Sequence, residues 1–161
     1  EMINRAKKRL VEFSNKVTFI NSDFLEADLL EKKFDHIVSI RNLEYFTDKS
    51  SFMSRTHNLL KVGGSFVLVT KSPRYNLADK AKDKTLHTSQ IDIIDLLHLM
   101  RKSGFHILGV YPAIFGKLFR FKIMRWVSNA IHKLILLLPW NKKLLRIYSY
   151  ISESFVIYAK K

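Results

Sequence analysis

Residues 32–70 read KKFDHIVSIRNLEYFTDKSSFMSRTHNLLKVGGSFVLVT, and this stretch decides the fold. Residues 34–40 are a short apolar run with β-branched members, too short for a helix and typical of a strand. Asp48 and Ser50 offer side-chain oxygens to the free N–H groups of a helix that runs to about Leu60, with Lys61 in its last turn. Gly63 stands where a left-handed C-terminal residue is wanted, and Gly64 lets the chain turn sharply. Residues 65–70 supply a second apolar strand. The unit is strand–helix–strand, and both strands are apolar enough to lie inside a parallel sheet.

Upstream, Met2, Ile3, Ala6, Leu10, Val11 and Phe13 recur with helical spacing among Lys and Arg, and Asn15 is a plausible stop. Residues 17–21 are expected as a short strand ending at Ser22-Asp23-Phe24, followed over 25–33 by a polar connection with about one helical turn. Downstream, 71–88 form a long polar loop, a length usually tied to function or mobility. A helix is expected from Gln90 to Lys102, capped by Thr88 or Ser89, with Ser89-x-x-Asp92 resembling a capping box. Ile91, Ile94, Leu97 and Met100 give its buried side and Gly104 its end. Residues 105–111, stopped by Pro112, and 154–159 complete the strands. Helices alternating with apolar strands predict an α/β fold with a largely parallel sheet.

The 161 residues suffice for one domain with a real core, and 47% hydrophobic against 26% charged is globular composition. With no cysteine there is neither a disulfide framework nor a thiolate metal site, which suits a cytoplasmic setting. No run of about 18 apolar residues and no signal-peptide pattern is present. The sequence opens on Glu1 inside a helical pattern and reads as a fragment.

Net charge is +14, unevenly spread. Residues 1–110 hold 18 Lys and Arg against 13 Asp and Glu, whereas 111–161 hold 10 against 1. Such an imbalance points to an anionic partner, although a solvated basic face is the plainer alternative. Within 113–151, Phe119, Ile123, Trp126, Val127, Ala130, Ile131, Leu134, Leu137 and Leu138 recur at three- and four-residue steps. Lys117, Lys122, Arg125, Asn129, His132 and Lys133 take the other side of this amphipathic helix. Pro139 breaks it, and Asn141 can cap a second helix carrying Lys142, Lys143 and Arg146. Aromatic and aliphatic residues beside a cationic face suit an anionic membrane surface. A cap over the domain is the structural alternative. Nucleic acid is less favoured, because the aromatics lie on the apolar stripe instead of among the cations.

Taken in order, four segments resemble the class I S-adenosylmethionine-dependent methyltransferases, most closely their broad small-molecule group. Residues 1–9, with Glu1-Met2-Ile3 and Ala6-Lys7-Lys8-Arg9, resemble the start of the helix after that family's second strand. Phe19 through Asp23-Phe24 resembles the end of its third strand, and Phe34-Asp35-His36-Ile37-Val38-Ser39 with Leu43-Glu44-Tyr45-Phe46 its fourth strand and following turn. Leu59-Leu60-Lys61-Val62-Gly63-Gly64 is similar to the family's turn into strand five, with valine in place of proline. Ser103-Gly104-Phe105 resembles its approach to strand six.

The resemblance implies a Rossmann-like sheet in order 3-2-1-4-5-7-6 with the seventh strand antiparallel. Residues 1–161 are then a single partial domain, and 113–151 a basic helical insertion between strands six and seven. The family's glycine-rich turn has no counterpart, since glycines stand only at 63, 64, 104, 109 and 116. Strands one and two are accordingly expected to be missing, and this chain alone to be inactive.

The implied cofactor is S-adenosylmethionine, with Asp23 and Phe24 toward adenine and Ser39, Ile40 and Arg41 near the methyl donor. A loop aspartate capping a turn is the ordinary alternative for Asp23. His87, in the loop on the family's substrate side, is the candidate general base, against a solvent-facing histidine. His36 and His106 fall within strands, and His57, His98 and His132 on helices. Of Arg41, Glu44 and Tyr45, where quinone methyltransferases place metal ligands, only Glu44 could ligate a hard cation, so no metal site is expected. The implied activity is methyl transfer to a small or lipid-like acceptor, in the cytoplasm or peripherally at a membrane surface. The alternative is a non-catalytic membrane- or RNA-binding module on a degenerate core.

Overall fold

In the computed structural model, the described residues are 2–27, 29, 32–75, 89–115 and 141–161. Their elements are α1 (Met2–Arg9), β1 (Phe34–Ile40), α2 (Lys49–Leu59), β2 (Leu60–Lys71), α3 (Ile93–Lys102), β3 (His106–Phe115), α4 (Lys142–Ile151) and β4 (Ser152–Lys160). Four strands form one sheet in the order β1-β2-β4-β3. β1 and β2 are parallel, joined by the α2 crossover, and β4 runs antiparallel to both β2 and β3. That order and those directions correspond to the 4-5-7-6 part of the expected sheet.

One face of the sheet is closed by helices. Phe66 and Leu68 of β2, Phe155, Ile157 and Ala159 of β4, and Ile107 and Val110 of β3 form a single core with residues from α2, α3 and α4. Phe52 and Met53 come from α2, Leu96, Leu97 and Met100 from α3, and Leu145 from α4. The alternation of strand side chains explains the other face: Val38 and Ile40, 60% and 65% exposed, point away from that core. In the strand order β1 is an edge among the described residues, although its composition suits an interior strand.

Residues 17–21 form no strand. A strand needs a ladder partner for its N–H and C=O groups, and no described strand lies beside this segment. Ile20 is about half exposed. α1 forms as expected but ends at Arg9, with a 3₁₀ turn over Val11–Phe13, and Val11 and Phe13 remain exposed.

Asp48 caps α2, its carboxylate accepting from the Ser51 N–H at 2.9 Å and the Ser51 hydroxyl at 2.6 Å. Strand β2 then begins at Leu60, five residues earlier than expected, because the two glycines lie inside it. Gly63 is left-handed at φ +75°, at the irregularity where Phe34 pairs with Leu60 but His36 pairs with Ser65. A Cβ on Gly64 would lie 2.9 Å from the Lys61 carbonyl oxygen and 3.0 Å from that of Asp35, so backbone from two strands fills the space.

Helix α3 starts at Ile93 and not at Gln90, since Asp92 is its cap and accepts from the Ile94 N–H. The expected capping box does not form: the Ser89 hydroxyl instead donates toward the carbonyls of Glu44 and Phe46. β3 passes through Pro112, paired opposite Phe155, and reaches Phe115. Proline is tolerated because β3 is an edge strand whose outer N–H groups need no partner. Asn141 caps α4 as expected, accepting from the Leu144 N–H at 2.9 Å. Most of the expected basic insertion, 116–140, lies outside the described residues, as does the loop 76–88.

Candidate functional site

Where β1 ends, the chain leaves the sheet and opens a cleft of about 310 Å³ lined by Phe24, residues 37–42, Phe52 and Thr56. Its position, outside the carboxyl end of a parallel strand, is where open α/β sheets take ligands. Phe24 reaches the cleft through an aromatic cluster. Its ring lies 5.2 Å from that of Phe52 and 6.1 Å from that of Phe46, edge-on to the latter. The Arg55 guanidinium lies 5.7 Å from the Phe24 ring centroid, and this cation–π contact further fixes the ring. Ser39, on the cleft wall, has a buried hydroxyl without a hydrogen-bond partner. An orphan of this kind is rare and costs free energy unless a ligand or water meets it.

Arg41 makes the turn out of β1. It is the only non-glycine residue with positive φ (+55°) among the described residues. Its N–H still donates to the Val69 carbonyl at 2.9 Å, so the ladder ends on it. The side chain crosses to β4, donating to the Ser154 hydroxyl at 2.6 Å and to Glu153 Oε1 at 2.8 Å. The guanidinium is therefore a tether, and Arg41 also lines the cleft at the turn it holds in the left-handed conformation.

A polar knot absent from the sequence reading lies beside the cleft. Glu44, 5% exposed, accepts from the Lys71 N–H at 2.7 Å through Oε1, while its Oε2 is buried and unpartnered. Lys49 Nζ donates to the Phe46 carbonyl at 2.8 Å and to the Ser89 hydroxyl at 3.2 Å. Burial pushes the Lys49 ammonium below its ordinary pKa, while the negative charge of Glu44 acts the other way. The knot ties the turn after β1 to the end of β2 and the approach to α3.

The methyltransferase domain family matches residues 1–135 of this chain. The chain belongs to that family. A Mycolicibacterium smegmatis protein named as a probable S-adenosylmethionine-dependent methyltransferase is 23% identical over 145 residues, covering 81% of this chain and 52% of its own length. The methyltransferase domain described here thus spans about half the length of that curated relative. An S-adenosylmethionine-dependent methyltransferase structure from Mesorhizobium loti aligns over 100% of this chain and 77% of its own, with 16% identity and a TM-score of 0.64. The [4+2]-cyclase SpnF aligns over 99% of this chain and 61% of its own, with 16% identity and a TM-score of 0.62.

Of the residues expected to touch the cofactor in this methyltransferase domain, Phe24, Ser39, Ile40 and Arg41 line one cleft. Asp23 adjoins Phe24 but does not line it, and its Oδ1 accepts from the Leu25 N–H at 2.7 Å, closing a turn. Thr56 and Asn42 also line the cleft, and sequence reasoning had no signal for either. His87 lies outside the described residues. His36 bonds Ser65 Oγ at 2.7 Å, and His57 packs edge-on against Phe105. No cluster of three potential metal-ligating residues occurs among the described residues.

These residues fit part of S-adenosylmethionine. An aromatic wall suits a flat ring, and the unpartnered Ser39 hydroxyl suits a polar ligand atom. None of Gly63, Gly64, Gly104 or Gly109 lines the cleft, so the close backbone approach of a glycine-rich turn is not supplied here.

Proposed function

We propose that the protein transfers a methyl group from S-adenosylmethionine to a small or lipid-like acceptor at a membrane surface. The observation that carries this reading is the convergence of Phe24, Ser39, Ile40 and Arg41 on one cleft at the carboxyl end of β1. S-adenosylmethionine supplies an electrophilic methyl group on a sulfonium, open to in-line attack by a nucleophile. Phe24 packs the adenine, Asp23 accepts from its exocyclic amine, and the backbone and hydroxyl of the Ser39 turn orient the methyl-donor side. Arg41 keeps that turn in place through β4. Position and exclusion of water are the main contributions asked of these side chains. His87 is the candidate base that takes the proton from a hydroxyl or amine acceptor.

A second reading is a non-catalytic membrane- or RNA-binding module on a degenerate methyltransferase core. The cleft supports keeping it, since none of Gly63, Gly64, Gly104 and Gly109 lines it to give the cofactor a close backbone approach. Calorimetry with S-adenosylmethionine on the full-length protein separates the two. Binding that weakens in Phe24→Ala supports the enzyme; no binding by the folded full-length protein supports the module. Radiolabelled methyl transfer, compared between the native protein and His87→Ala, then tests the base.

A further inference from the structure

We infer that the outer face of α4 is a docking surface for an anionic lipid bilayer. This deepens the membrane part of the proposed function and rests on that part alone. Helical spacing puts Lys142, Lys143, Arg146, Ile147 and Tyr150 on one arc of α4, and all five are exposed. Leu145 and Ser149, off that arc, are buried against the domain. Ile147 and Tyr150 are 57% and 53% exposed.

The placement of the charges is informative. Lys142 and Lys143 occupy the first turn of α4, and no acidic residue accompanies them there. Cations at this end oppose the helix dipole, so the helix gains nothing from them. None of Lys142, Lys143 and Arg146 is in an ion pair among the described residues. Three cations without an ion pair among the described residues, beside exposed Ile147 and the half-exposed Tyr150 ring, on which the Arg74 guanidinium rests, are the combination that an interfacial helix presents to headgroups and acyl chains. Tyrosine suits that boundary, with an apolar ring and a polar tip. A nucleic acid would reward the cations but leave Ile147 without a role.

The face also lies at the useful end of the domain. β4 is antiparallel to β2 and pairs Ser154 with Lys71, so α4 arrives where β1 and β2 end. The Ser72 hydroxyl donates to the Ser149 carbonyl, and Arg74 donates to the Tyr150 hydroxyl at 3.0 Å. Glu153 and Ser154, just past α4, hold Arg41 at the cleft. A bilayer on this face would lie on the ligand side of the sheet, where a lipid-like acceptor could reach the cleft.

Co-sedimentation of the full-length protein tests this, using phosphatidylcholine vesicles with and without phosphatidylglycerol. Preferential binding to the anionic vesicles is expected, falling about fivefold for each cation removed and about 100-fold in Lys142→Gln/Lys143→Gln/Arg146→Gln. Ile147→Ser is expected to weaken binding about tenfold or more through lost apolar burial. Circular dichroism confirms that each variant is folded. Equal binding to neutral and anionic vesicles, or full anionic-vesicle affinity in the triple variant, would overturn the inference. So would full affinity in Ile147→Ser together with equally tight binding of single-stranded RNA. The assay needs neither cofactor nor turnover, so its failure leaves the cofactor-binding reading intact, and the reverse also holds.

Discussion

Replacing Arg41 probes the cleft turn, because two opposed effects meet at that residue. In Arg41→Ala the Ser154 hydroxyl, 1% exposed as a residue, loses its charged donor. Leaving a buried polar group so costs about 1–2 kcal/mol. The ion pair to Glu153 also goes, with side chains 32% and 30% exposed, so solvent screening limits its share to about 0.5–1 kcal/mol. Alanine must still adopt φ +55°, so no strain is released. The expected loss is about 1.5–3 kcal/mol. Arg41→Gly loses the same bonds but relieves the left-handed strain, and is expected to be about 1 kcal/mol more stable than the alanine variant. Glu153→Gln, which keeps the Ser154 bond, is expected to lose less than about 1 kcal/mol. Urea unfolding of the three variants measures these differences directly. Equal stability of the alanine and glycine variants would refute the strain argument, and an undisturbed alanine variant would refute the tether.

Gly64→Ala is expected to destabilise by about 1–3 kcal/mol, because the new methyl meets backbone oxygens from two strands, and thermal unfolding will register it. Gly63→Ala meets nothing within 4 Å and is expected to lose only the left-handed penalty of about 1–2 kcal/mol. Removing the α2 cap with Asp48→Ala is expected to cost about 0.5–2 kcal/mol in the same assay. His57 is held below its ordinary pKa of 6.5, first by burial and then by the charge of Lys161. The unfolded chain therefore binds the proton more readily, so stability is lost as pH falls through 6.5 toward the depressed folded value. Urea midpoints on either side of that window should show a dependence that His57→Gln reduces.

The strand–helix–strand unit was legible because its signals are local: an apolar run, an Asp cap and two glycines where backbones crowd. Composition alone did not show the exposure of β1, since it reports what a strand can bury and says nothing about whether a neighbour is there. Residues 17–21 fail as a strand for the same reason: β propensity needs a ladder partner. Pro112 misled because its meaning depends on whether the strand is at an edge, which is a property of the sheet order. Ser89 and Asp92 exchanged expected roles when Ser89 was drawn to the carbonyls of Glu44 and Phe46, more than forty residues away. Family motifs brought Phe24 and residues 39–41 forward, yet the Arg41–Glu153 tether joins residues 112 apart and leaves no pattern in sequence.

Titration calorimetry of S-adenosylmethionine into the full-length protein, beside Phe24→Ala and Arg41→Ala, tests the central claim most directly. The claim predicts one site per chain, with affinity lowered in both variants while circular dichroism shows them folded. Binding of unchanged affinity in both variants, or none in the native protein, would contradict it.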